Sequence, residues 1–194
     1  ELINNQTITF TTSPTFNLWT LAERIPEGYH FTVPLRDQDE HTYVFSDQFS
    51  GEITSKAKAK YGISSTFRQG YMAGSWNKNC IALGGAAFCV ESLDSSFIGT
   101  LLNQLDLLAR FLPSGDRVTY EQHYGCLMHN VLAFITASYQ TQKDDSPYWK
   151  HVENIKPNYM LQSLLDIAQL RLLSPLDFPS SCQMFGPEDF IMKF

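Results

Sequence analysis

The stretch "NKNCIALGGAAFCVESLDSSFIG", residues 77–99, decides how the rest of the chain is read. Cys80 to Gly84 is a continuous apolar run of the kind that fits a central strand covered on both faces. Gly84 and Gly85 follow, then Glu91, Asp94, Ser95 and Ser96, and then a leucine-rich segment. Two adjacent glycines leave room for something to approach the backbone. A helix N-terminus offers unpaired N–H groups and a partial positive charge, which suit an anion or the electron-rich edge of a ring. The same residues also describe a tight strand-to-helix turn in which Ser and Asp serve only as caps. Spacing alone favours that plainer reading, and it leaves Asp94 as either a cap or a catalytic carboxylate.

Upstream, the chain reads as strands. Residues 7–11 (TITFT) alternate, Tyr29, Phe31 and Val33 share one face of 29–35, and Tyr43 and Phe45 share one face of 41–46. The polar link 36–40 predicts an antiparallel hairpin between the last two. Residues 52–62 predict a short helix ending at a glycine, and 65–71 another strand. Downstream, the chain reads as helices. One carries Phe97, Ile98, Leu101, Leu102, Leu105, Leu108 and Leu112 on a helical period and stops at Pro113 to Gly115. A second spans about 116–139. A third restarts with Ser146 as cap and Pro147 at its first position, and a fourth spans 158–173. The expected division is a sheet region, 1–93, and a helical region, 94–194.

With 194 residues and 43% hydrophobic content the chain can build a folded core. Its net charge is −6 and its densest basic cluster is only Lys56, Lys58 and Lys60, which speaks against nucleic acid as a partner. No apolar run approaches the roughly 20 residues of a membrane helix, and the N-terminal residues lack the pattern of a signal peptide. Cys80, Cys89, Cys126 and Cys182 form no CxxC pair and are expected to be buried free thiols of a reducing, cytoplasmic compartment. The five histidines show no metal-ligand spacing. There is no GxSxG elbow, no GxGxxG and no phosphate-binding P-loop.

Four pieces in order resemble the C-terminal portion of the flavin-dependent tryptophan halogenase family. Residues 28–35 (GYHFTVPL) resemble its tryptophan-x-tryptophan-x-isoleucine-proline strand, and 42–49 (TYVFSDQF) the strand after it. Residues 76–96 are similar to its tryptophan-x-x-asparagine-cysteine strand, small-residue turn and E-P-L-E-S-T-G segment. Residues 134–149 resemble its D-[ST]-P-[FY]-W element. The resemblance implies an α+β fold, with antiparallel strands and one central strand of an FAD-binding, hydroxylase-like flavoprotein, followed by a helical region over the substrate site. It implies FAD supplied in reduced form by a separate reductase, chloride or bromide, and hypohalous acid made from a flavin hydroperoxide. It also implies a tryptophan-like or indole-like aromatic substrate. By position, Gly84, Gly85, Ala86 and Ala87 approach the flavin and Asp94 falls on the family's glutamate. The resemblance further implies that Ser95, Ser96 and the N–H of Phe97 form the halide pocket and that Tyr29, Phe31, Tyr148 and Trp149 wall the substrate site. A homodimer is the expected assembly.

The departures are specific. Asp94 is one methylene shorter than the family's glutamate, and Phe97 stands where the family has glycine. Ser92 replaces the proline, and Tyr29 and Phe31 replace two tryptophans. The segments that carry the dinucleotide fingerprint and the catalytic lysine are not among these residues, so the chain is expected to be part of a longer protein. Lys78 and Lys143 are expected to be surface lysines. Two other readings stay open: a related flavin-dependent monooxygenase whose halide site has drifted, and a non-catalytic aromatic-binding module or incomplete fragment.

Overall fold

The computed structural model describes residues 2–63, 65–90, 96–140, 145–178 and 183–191. In chain order the strands are β1 (Gln6–Thr12), β2 (Leu21–Ile25), β3 (Gly28–Pro34), β4 (Asp39–Phe45), β5 (Ser65–Thr66), β6 (Gly70–Tyr71), β7 (Trp76–Asn77), β8 (Cys80–Ile81) and β9 (Phe88–Cys89). The helices are α1 (Glu52–Tyr61), α2 (Ser96–Phe111), α3 (Arg117–Gln140), α4 (Pro147–Glu153), α5 (Tyr159–Ala168) and α6 (Pro187–Ile191). The chain divides into two compact units, Glu1–Gln69 with Gln142–Asn154, and Gly70–Thr141 with Ile155–Phe194.

The first unit is built on a five-stranded antiparallel sheet in the order β2-β3-β4-β1-β5. The predicted hairpin is present, with Gly28 opposite Phe45 and Pro34 opposite Asp39. Pro34 sits at the end of its strand, where a missing N–H does least harm. Strand β2 escaped the sequence reading because Leu21, Ala22, Glu23 and Arg24 are all exposed, so no alternation marks it. Helix α1 covers one face of the sheet, where Ile8, Phe45 and Ala57 form a core with Phe10 and Tyr43 against it.

The start of α1 has an unusual cap. Its N-cap residue, Gly51, has no side chain to accept the first N–H groups. The carboxylate of Glu27, buried in the turn between β2 and β3, does so instead: Ile53 N–H donates to Oε1 at 3.1 Å and Thr54 N–H to Oε2 at 2.8 Å. A Cβ at position 51 would lie 2.2 Å from Glu27 Oε1, so glycine makes the approach possible. Helix α4 starts as the sequence predicts, with Pro147 in its first turn and Ser146 Oγ accepting from Trp149 N–H.

The second unit is organised around α3, whose residues from Leu127 to Tyr139 are mostly buried. Ala133, Phe134 and Ala137 of α3 pack with Met160, Leu161 and Leu164 of α5 and with Leu173, Phe178 and Phe190. The Asn130 side chain ties the segment before α6 to α3, with Oδ1 accepting from Met184 and Phe185 N–H and Nδ2 donating to Phe185 O at 3.0 Å.

Four expectations are corrected. Cys80 to Gly84 is not a central strand: β8 is two residues long, pairs only with β7, and has Cys80 exposed. A short apolar run does not by itself distinguish a strand from a packed turn, and here Ala82 N–H bonds to Ser75 O while the chain enters a 3-10 turn at Gly84–Ala86. The segment 65–71 is not one strand but the two short strands β5 and β6, in separate sheets. Helix α5 ends at Ala168 rather than 173. The cysteines are not all free: Cys80 and Cys89 are, but Cys126, packed against the α3–α5 core, is in a disulfide. Spacing along the chain carries no information on which distant thiols meet. Among the described residues, no helix is long and apolar enough to cross a membrane.

Removing the Glu27 carboxylate leaves two helix N–H groups without their acceptor. Glu27→Ala is expected to destabilise the protein by about 1–2 kcal/mol, read as a lower denaturant midpoint, with Glu27→Gln intermediate.

Candidate functional site

The small-residue turn lies in the second unit. Gly84 has φ +53°, a left-handed conformation that residues with a Cβ rarely adopt. A Cβ there would make only ordinary contacts, 3.5 Å to Leu101 and 3.7 Å to Phe97, so backbone conformation rather than space calls for glycine. Gly84 and Ala87 are buried, whereas Gly85 and Ala86 are exposed. A Cβ added at Gly85 would meet nothing within 4 Å. The turn therefore shows its backbone outward over two residues with no side chain longer than a methyl.

A buried polar network holds this turn. Gly84 N–H donates to Gln104 Oε1 at 3.1 Å. Gln104 Nε2 donates to Ala82 O at 3.0 Å and to the Tyr120 oxygen at 3.3 Å. Ser75 Oγ donates to the same Tyr120 oxygen at 3.2 Å, and Tyr124 OH donates to Ala87 O at 3.0 Å. Burial drives the Tyr124 phenol well above its usual range, with the neighbouring Tyr120 and Glu121 adding to the rise, so it remains a donor at every working pH. Glu121 accepts from the N–H groups of Ser75 and Trp76. Gln104, Tyr120, Glu121 and Tyr124 went unseen in the sequence reading; the signal was a glutamine and tyrosines at helical spacing on faces that otherwise read as core.

Helix α2 begins at Ser96, which is buried and whose C=O accepts from Thr100 Oγ at 2.8 Å. Phe97 is 37% exposed, and its ring packs against Phe88 at 5.2 Å and reaches toward Gly84. The structure thus brings Gly84, Ser96 and Phe97 into one part of this unit. Asp94 and Ser95 lie outside the described residues.

The residues expected to wall a substrate site lie in the first unit. Tyr29, Tyr148 and Trp149 are buried, while Phe31 is half-buried. Trp149 Nε1 donates to Ile25 O at 2.8 Å, the Arg24 guanidinium lies over its ring at 5.8 Å, and Tyr148 meets it edge to face at 5.2 Å. On the other face of the sheet is a polar aromatic row absent from the sequence reading. His30 Nε2 and His41 Nδ1 share a hydrogen bond of 3.1 Å, and Thr32 and Thr12 bond the two nitrogens of His41. Phe10 stacks on Tyr61 at 4.0 Å and on His41 at 5.0 Å, and His30 stacks on Tyr43 at 4.5 Å. Burial, and then the neighbouring His41, hold His30 below its ordinary value, against the opposing pull of Glu23.

Residues 2–193 match the tryptophan halogenase family. Tryptophan 6-halogenase SttH of Streptomyces toxytricini is 27% identical over 141 residues, which are 69% of this chain and 26% of that protein. Tryptophan 6-halogenase ThaL of Streptomyces albogriseolus is 23% identical over 154 residues, 71% of this chain and 29% of that one. Among solved structures, a tryptophan halogenase from Shewanella frigidimarina superposes with a TM-score of 0.86 at 20% identity, covering 98% of this chain and 41% of that chain. At that identity the likeness speaks for the fold. The chain spans well under half the length of these relatives.

Two outcomes follow from the site. Gln104→Leu fills the same space but leaves the buried Gly84 N–H and the partly buried Ala82 carbonyl without their partner, which is expected to cost about 2–3 kcal/mol; Tyr124→Phe, which removes one bond, is expected to lose about 1 kcal/mol, both read by denaturant unfolding. For His30 the lowered folded-state value means that the unfolded chain binds the proton more readily. Its contribution to stability is present above the ordinary value of 6.5 and is lost as the pH falls through it. Unfolding midpoints measured across that pH range are expected to fall less steeply in His30→Gln than in the parent protein.

Proposed function

The chain belongs to the tryptophan halogenase family, and from that premise we propose that it supplies the flavin-facing turn and the halide-side helix start of an FAD-dependent halogenase acting on an indole-like aromatic substrate. The observation that carries this reading is the turn at Gly84–Ala87. It exposes backbone at Gly85 and Ala86, is fixed from beneath by Gln104, and lies in the same unit as the first residues of the 16-residue helix α2. A Cβ added at Gly85 would meet nothing within 4 Å, which is compatible with a flat ring system approaching the turn. Bound reduced flavin would activate dioxygen, and the resulting oxidising equivalent would convert chloride or bromide into a halogenating species.

The chain's own residues then have separable roles. Gly84, Gly85, Ala86 and Ala87 offer backbone to the flavin. Ser95, Ser96 and the N–H of Phe97 stabilise the halide with the partial positive charge of the helix start. Asp94 is the carboxylate of the reacting centre. Tyr29, Tyr148 and Trp149 act by packing, holding β3 and α4 in place, and Phe31 is the ring left partly open to a substrate. A separate flavin reductase delivers reduced FAD.

One observation favours the related monooxygenase as the second reading. Phe97 stands where the family pattern has glycine, and its ring lies beside the Gly84 turn against Phe88. The test is turnover of tryptophan or indole by the protein with FAD, a flavin reductase and reduced nicotinamide, with and without bromide, followed by mass spectrometry. A brominated product that requires bromide is expected. Phe97→Gly is expected to raise the bromide-dependent rate, despite about 0.5 kcal/mol of lost helix propensity. A hydroxylated product in both proteins, indifferent to bromide, would establish the monooxygenase; indole binding with no flavin binding would establish the non-catalytic module.

A further inference from the structure

The segment before α6 lays a thioether against the first turns of α2. Asn130 on α3 fixes that segment, its Oδ1 accepting from the N–H groups of Met184 at 3.0 Å and Phe185 at 2.8 Å. So placed, the half-buried Met184 reaches Gly99 and Thr100. A Cβ on Gly99 would lie 2.6 Å from Met184 Cε, so the glycine admits this side chain. The Thr100 hydroxyl lies 3.2 Å from Met184 Sδ and 2.8 Å from Ser96 O. It has a single proton to give, and the carbonyl is the better acceptor, because thioether sulfur accepts only weakly. The sulfur therefore keeps its lone pairs for reaction, one hydroxyl away from the residue that opens the helix. Among the other described methionines, Met128 and Met160 are buried and Met72 is 44% exposed.

We propose that Met184 is the residue that the protein's own oxidant modifies, and that its sulfoxide slows turnover. The inference rests on the halogenase reading above, in which a hypohalous acid forms at the start of α2. Thioether sulfur is a soft, polarisable nucleophile that oxidises readily and reversibly to the sulfoxide. The Met184 sulfur attacks the bromine of hypobromous acid and hydroxide leaves. Water then adds to the sulfur as bromide departs; of the two protons released, one neutralises the hydroxide and the other goes to solvent. Sulfur has lost two electrons and bromine has gained them. The sulfoxide oxygen is a strong acceptor where the thioether was a weak one, so it draws the Thr100 hydroxyl away from Ser96 O. It also adds an atom to a side chain already packed against Gly99. Both changes act on the first turns of the helix assigned to the halide. A methionine sulfoxide reductase, drawing electrons from a dithiol, reverses them.

Peptide mapping by mass spectrometry tests this on the protein as its natural source makes it. The protein turns over with FAD, a flavin reductase, reduced nicotinamide and bromide, without aromatic substrate, and with catalase to remove hydrogen peroxide shed by free flavin. A parallel reaction with tryptophan or indole reports bromination. The expected result is one added oxygen at Met184 ahead of Met72, and only with bromide present. Reagent hypobromite added from bulk solution is expected to mark the more exposed Met72 first. Met184→Leu keeps nearly the same volume without the sulfur; it is expected to hold its rate longer than the parent, whose lost rate returns on treatment with methionine sulfoxide reductase. Brominated product with Met184 intact, oxidation of Met184 that ignores bromide, Met184 marked first by bulk hypobromite as well, or equal loss of rate in Met184→Leu would each overturn this inference and leave the halogenase standing. No brominated product at all would overturn the halogenase reading, and this inference with it.

Discussion

The amide of Gln104 is the contact on which the candidate site depends. Its oxygen takes the N–H of Gly84 and its nitrogen serves the carbonyl of Ala82, so the two ends of one side chain bind the backbone on either side of Leu83. The Gly84 N–H is buried and the Ala82 carbonyl partly so, and an unmatched buried group would carry the penalty of desolvation. This explains why α2 turns polar residues inward. The helix is needed as a carrier of hydrogen bonds to the turn, so Ser96, Thr100 and Gln104 share its inner face with Leu107, while Ile98, Leu102 and Leu105 are exposed. A second anchor, Tyr124 to Ala87 O, holds the far end of the same turn from α3.

Glu27 does for α1 what Gln104 does for the turn. Each is a buried polar side chain from a distant element that satisfies backbone groups with no local partner. In both cases a glycine is the complementary feature: Gly51 admits the carboxylate, and Gly84 adopts the backbone conformation that points its N–H at the amide. The glycines and their polar partners are parts of one device, separated by 24 positions in the first case and 20 in the second (51 − 27 and 104 − 84).

Much of the architecture was legible because it is local. Alternation in 29–35 and 41–46 marks β3 and β4, and Ser146-Pro147 marks the start of α4. The leucine period marks α2 as a helix, yet says nothing about which side faces in, because a period of 3.6 is the same whichever face is buried. Strand β2 was illegible because an exposed ribbon leaves no pattern. The polar network around Gly84 was illegible for a different reason: Gln104, Tyr120 and Tyr124 acquire meaning only from tertiary contact with a turn 20 or more residues away. The family motifs named the turn itself and did not name what supports it.

The most direct test is a crystal structure of the protein grown with FAD and bromide, with data collected at the bromine absorption edge. The account expects an anomalous peak beside the N–H groups at the start of α2, and flavin density against Gly85 and Ala86. Flavin bound elsewhere, or bromide found only beside surface lysines such as Lys56 or Lys150, would contradict it.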